Sequence, residues 1–228
     1  MCSSDLRPNG RLIVWVHGGP VDQWQVTWRP RFTYWLSRGY SIAVPDHRGT
    51  TGHGRAFRLA LEGGWGAVDA DDTALVARHA QGLLGTDASR TALMGGSAGG
   101  LSVLSAAARH ASLAACAVVS YPVTDLGLLL ATPDPFEGHY NGRLVGDPAV
   151  SPAVSPGRLV DVPVLSFHGD LDELVVPAHS LGLRDAVAAA GGSVRVEMMA
   201  GEGHGFRDPA NIAREYVLTE AFLGEHLA

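Results

Sequence analysis

Six runs rich in Val, Ile and Leu, at 11–17, 40–45, 90–95, 114–121, 162–168 and 193–199, are separated by stretches of helical pattern near 29–38, 70–83, 98–110, 178–190 and 209–226. The runs are continuously apolar rather than alternating, and a strand with no polar side needs cover on both faces. Interleaved with helices, they predict an α/β domain: a mostly parallel sheet with helices on both faces. The 228 residues suffice for one such domain. Residues 124–160 break the rhythm, rich in proline and poor in periodicity, and are expected to form an insertion near the active site with short helices of its own. Residues 1–10 are expected to be a non-native or linker-like lead, and "MCSSDL" does not read as a signal peptide.

Composition excludes several chemistries. All 17 basic residues are arginine, so a Schiff-base lysine and a Walker A lysine are both missing. Two cysteines make neither a disulfide framework nor a multi-cysteine zinc site, and Cys116 in "AACAVVSY" reads as a small buried hydrophobe. The ten histidines form no HExxH, so no metal and no cofactor is expected. A net charge of −6 gives no reason to expect nucleic acid, and no apolar run of about 18 residues suggests a membrane span. In "GAVDADD", Asp69 and Asp72 read as an N-cap and a first-turn carboxylate.

The segment "LMGGSAGG" carries the chemistry. Residues 95–99 fit G-x-S-x-G, directly after a predicted strand and before a helix of small residues. In that context Ser97 sits on a strained strand-to-helix elbow, with glycines where backbone and helix approach too closely for a Cβ. A nucleophilic serine needs a base, and the base needs an orienting acid. "SFHGDLDELVVP" supplies Asp170 and Asp172 after the fifth strand, and "GEGHGF" supplies His204 after the sixth. The order Ser, Asp, His is that of α/β-hydrolases. In "VWVHGGP", Gly19 is placed to give one oxyanion donor, and the amide of Ala98 the other.

Together, "HGGP", "DHRGTTGHGRAF", "WGAVDADD", "GGSAGG", "FEGHYNGRLVG", "HGDLDELVVP" and "GEGHGF" resemble, in order, the catalytic domain of the prolyl oligopeptidase family of serine peptidases, which includes acylaminoacyl and dipeptidyl peptidases. The resemblance runs from about residue 11 to the C-terminus and implies an α/β-hydrolase fold. It selects Asp172 over Asp170, as the third residue after "HG". Three departures stand out. Within the given residues no counterpart of the family's N-terminal β-propeller is expected, the first two strands of the usual sheet are expected to be missing, and Leu174 stands where many members carry a carbonyl-binding arginine. A sheet so shortened is expected to leave an uncovered edge at 11–17.

The expectation is a serine peptidase acting on short peptides through Ser97, Asp172 and His204, with 11–228 as its catalytic domain. A carboxylesterase on the same fold is the alternative, and a non-catalytic or non-folding gene fragment is the alternative of another class. The substrate is a short peptide or an ester. The substrate-binding residues and the oligomeric state stay open.

Overall fold

A computed structural model describes residues 8–132 and 138–228; residues 1–7, in the expected lead, and 133–137, in the expected insertion, lie outside the described residues. In chain order the main elements are β1 (Leu12–Val16), α1 (Pro30–Ser37), β2 (Ser41–Ala43), α2 (Arg55–Leu59), α3 (Val68–Leu84), β3 (Thr91–Gly96), α4 (Ala98–Arg109) and β4 (Cys116–Ser120). They continue with α5 (Leu126–Ala131), α6 (Gly138–Leu144), β5 (Val164–Gly169), α7 (Ala178–Ala189), β6 (Val194–Met199) and α8 (Pro209–His226).

The six strands form one sheet in the order β2-β1-β3-β4-β5-β6, and every neighbouring pair is parallel. Successive side chains leave opposite faces of a strand, so each strand feeds two cores. Leu12, Val14 and Val16 point to the face covered by α3, α4 and α7, where Ala, Val and Leu dominate. Ile13 and Trp15 point to the face covered by α1 and α8, which is richer in aromatic rings and includes Trp35, Tyr40, Phe167 and Phe222. Cys116 is fully buried on that second face, and burial pushes its thiol up to about 12.

Local signals place several helix ends. Pro30 and Pro209 open α1 and α8, where a missing N–H costs nothing. Asp208 accepts from the Ala210 N–H at 2.7 Å, and Asp125 caps α5 through the N–H groups of Gly127 and Leu128. Gly85, with φ 63°, ends α3 in the left-handed region.

The sheet corrects the expectation about its edge. β1 is hydrogen-bonded on both sides, by β2 and β3, and the outer strand is β2 at Ser41–Ala43. The chain crosses outward through α1 to β2, then back over β1 to β3, and only pairing shows which strand is left outside. The reading of Asp69 and Asp72 changes too. Ala67 holds the N-cap position of α3, Asp69 is fully buried within its first turn, and Asp72 is engaged by Arg48 through its guanidinium and its N–H. Of the 124–160 interval, the described part carries α5, α6 and two short 3₁₀ turns. The short α2 has no apolar stripe and goes unread in the sequence.

Candidate active site

Ser97 occupies the junction between β3 and α4 with φ 55° and ψ −126°, a conformation that non-glycine residues rarely adopt. Its surroundings hold it there. The Ser97 N–H donates to Ser120 O at 3.0 Å, and its carbonyl accepts from the N–H groups of Gly100 and Val123. A Cβ on Gly99 would lie 2.6 Å from Val16 O and closer still to His17 O, so the start of α4 presses directly on the loop that follows β1. That contact is possible only for glycine.

The three residues expected to act together meet. His204 Nε2 lies 3.0 Å from Ser97 Oγ, and His204 Nδ1 lies 2.8 Å from Asp172 Oδ2. An ionised carboxylate only accepts, so Nδ1 carries the proton and Nε2 is left to accept from the serine hydroxyl. Asp172 is buried. Its Oδ1 accepts from the N–H groups of Leu174 and Val175 at 3.0 and 2.9 Å. Burial works against its ionisation, but the hydrogen bonds from His204 and Val175 outweigh burial and hold the carboxyl below its ordinary value. Asp170 is exposed and accepts instead from the Gly201 N–H at 2.7 Å, bracing the loop before His204.

The loop after β1 lies beside the serine. A Cβ on Gly18 would sit 3.6 Å from Ser97 Cβ, and Gly19 takes φ 122°, open to glycine alone. Among the described residues no backbone acceptor takes the N–H of Gly19 or of Ala98. No group of three His, Cys, Asp or Glu among them could hold a metal ion.

Several contributors escape sequence reasoning. His168, four residues before Asp172, brings Nε2 to 3.6 Å from Asp172 Oδ2 and 2.7 Å from Val175 O. Burial keeps His168 below its ordinary value, so its neutral ring donates to Val175 O and accepts from Ser180 Oγ through Nδ1. Tyr121, with φ 41°, sets its ring 4.6 Å from that of His204. Glu202 accepts from the N–H groups of Arg207 and Asp208, both at 2.9 Å, and so closes the loop that carries His204. The short motifs "HGDLD" and "GEGHGF", which contain His168 and Glu202, are the sequence signal for those two residues. Tyr121 had none, because a tyrosine at a strand end is ordinary.

The family model of the prolyl oligopeptidase family matches residues 24–228. The chain belongs to the prolyl oligopeptidase family. Among relatives, dipeptidyl aminopeptidase BIII of Pseudoxanthomonas mexicana is 30% identical over 252 residues, covering 99% of this chain and 35% of that protein. Among solved structures, a puromycin-hydrolyzing peptidase of Mycobacterium tuberculosis superposes with a TM-score of 0.89 at 30% identity, covering 96% of this chain and 34% of that one. A puromycin hydrolase gives 0.88 at 31% identity, covering 97% and 34%. The chain thus spans about a third of the length of these family members. The shared fold is the α/β-hydrolase domain of the prolyl oligopeptidase family.

Proposed function

We propose that residues 11–228 form the catalytic domain of a serine peptidase that cleaves short peptides. The observation that carries this reading is the continuous hydrogen-bonded line from Ser97 through His204 to the buried Asp172, set on a strained elbow. Ser97 Oγ attacks the scissile carbonyl while His204 Nε2 takes its proton. The same proton passes to the leaving nitrogen as the C–N bond breaks, leaving an ester on Ser97 that water hydrolyses by the reverse route. Asp172 fixes the tautomer and stabilises the imidazolium. The Gly19 and Ala98 amides receive the developing oxyanion, each such donor being worth roughly 3 to 4 kcal/mol of barrier.

A fluorophosphonate probe should label Ser97, and Ser97→Ala should abolish labelling. Turnover of an aryl ester and a dipeptide anilide, with Ser97→Ala as blank, decides between the two hydrolase readings. Leu174, apolar and half-buried in the wall of the site, favours the carboxylesterase as the second reading, since it offers no donor to a peptide carbonyl. Ester turnover without anilide cleavage above the blank would establish the esterase and reject the peptidase. Asp172→Asn should lower kcat by about 10⁴, because an amide can present its N–H to Nδ1 and invert the tautomer. Asp170→Asn should change kcat only slightly, and the opposite ranking would reverse the roles assigned to the two carboxylates.

A further inference from the structure

A cavity of about 560 Å³ opens beside Ser97 and runs down between the sheet and the helices α1 and α8. Its volume is that of a small-ligand site. His204, Gly205, Phe206 and Tyr121 form one wall, and Gly18 and Gly19 contribute to another. The group that departs from a scissile bond must lie within hydrogen-bond reach of the atom that protonates it. With His204 as that acid, a cavity beside its ring is within reach of the leaving part of the substrate.

The charges in the wall give the cavity a sign. Glu215 is buried, paired to Arg31 at 2.9 Å and hydrogen-bonded by Ser120 Oγ at 2.8 Å, so these two ionic groups answer each other. Asp22 is exposed, where water screens it. Arg29 is different. It has no carboxylate partner among the described residues, and its Nε is buried without a hydrogen bond. Its guanidinium lies over the Trp24 ring, 4.5 Å from the centroid. That ring is itself held, donating Nε1–H to Trp15 O at 3.2 Å and meeting Trp15 edge-on. An arginine stacked on a fixed aromatic shelf is preorganised, and its planar fork fits a carboxylate.

We infer that this cavity is the leaving-group site and that Arg29 binds a carboxylate of the departing segment, so that short peptides carrying a free carboxylate just beyond the scissile bond are the favoured substrates. The inference rests on the peptidase reading for its mechanism, but the site itself is testable without it. The carboxylate can come from the chain end or from an acidic side chain, and both present the same group to Arg29.

The experiment measures kcat/KM for trialanine against trialanine amide, and for Ala-Ala-Glu amide against Ala-Ala-Gln amide. The free acid should be favoured by about tenfold or more, the range of a charge-assisted hydrogen bond. An equal advantage for Glu over Gln shows that side-chain carboxylates are accepted as well; its absence confines the site to chain ends. The preference should shrink as salt is raised, which requires no variant. Within Arg29→Gln the acid-to-amide ratio should fall to about twofold or less, and Arg29→Lys should lie between, having the charge without the fork. Ratios near one in the unaltered chain, or a ratio that survives Arg29→Gln, overturn the inference. If no peptide is cleaved while an aryl ester is, the peptidase reading falls. Calorimetric binding of alanylalanine and its amide to Ser97→Ala then decides the site: tighter binding of the acid sustains it, and equal binding ends it.

Discussion

The two faces of the sheet are built to different standards. The face under α3, α4 and α7 is filled by small aliphatic side chains, and α4 approaches the β1 loop so closely that Gly99 has no room for a Cβ. The face under α1 and α8 is packed with large rings, which cannot fill space as finely, and it contains the cavity that reaches Ser97. Interiors are normally close-packed, and an open cavity of this size has the dimensions of a small-ligand site. The tight face fixes where Ser97 is; the open face leaves a cavity beside it.

The sharpest way to break this comparison is Gly99→Ala. Overpacking costs about 1 to 3 kcal/mol where side chains can yield, and here the obstacle is backbone, so the loss should reach the top of that range or exceed it. Urea unfolding measures it, and aryl-ester turnover should collapse as well, because the displaced His17 carries Gly18 and Gly19 with it. A stable, active Gly99→Ala protein would show that the face is less rigid than its contacts imply.

The tight face also buries histidines at its upper end, and acid should find them. Burial first, and then the nearby His168, holds His179 at about 4, with its Nδ1 accepting from the N–H groups of Thr124 and Asp125. The neighbouring carboxylates of Asp125 and Asp172 act in the opposite direction. Its folded value is depressed, so the unfolded chain binds the proton more readily, and stability falls as pH drops through the unfolded value near 6.5 towards about 4. The full span is on the order of 3 kcal/mol. Denaturant melts at several pH values should show the decline, and His179→Asn should flatten it; an unchanged slope in that variant would remove His179 from the account.

Adjacent residues of β4 compare the faces directly. Val119 points into the tight face and Val118 into the cavity. Val119→Leu should destabilise by about 1 to 3 kcal/mol. Val118→Leu should stay within about 1 kcal/mol of the starting protein, since its extra methylene enters open space. Equal costs would mean that the cavity is not available to a side chain. The smallest effect is expected far from both: Gly224 is exposed in α8 with nothing within 4 Å of a Cβ, and Gly224→Ala should gain up to about 1 kcal/mol in thermal or urea unfolding.

Much of the fold could be read before any coordinates because apolar runs and helical periods are local properties. Each of the six expected runs coincides with a strand to within a few residues, β3 and β5 ending one residue beyond theirs, and the five expected helices correspond to α1, α3, α4, α7 and α8. The elbow was legible for the same reason, as five consecutive residues spanning the end of a strand and the start of a helix, and "HGDLD" and "GEGHGF" are each one short contiguous stretch. Short α2 was missed because five residues without an apolar stripe carry no period.

What the sequence by itself determined is therefore the six strands, the five longer helices and the chemical type at each candidate catalytic loop: a serine on a strand-to-helix turn, a carboxylate after β5, a histidine after β6. The resemblance selects Asp172 over Asp170, but only the tertiary structure supplies the physical reason: the two are two residues apart, and their burial and partners differ only once β6 and the His204 loop are in place. The tertiary structure likewise decided that β2 rather than β1 is the edge on its side of the sheet, that Tyr121 stands against His204, and that Arg29 faces a cavity without an ion-pair partner among the described residues. Each of these depends on contacts between residues far apart in the chain, and such pairings leave no period in the sequence because they are set by how the layers pack.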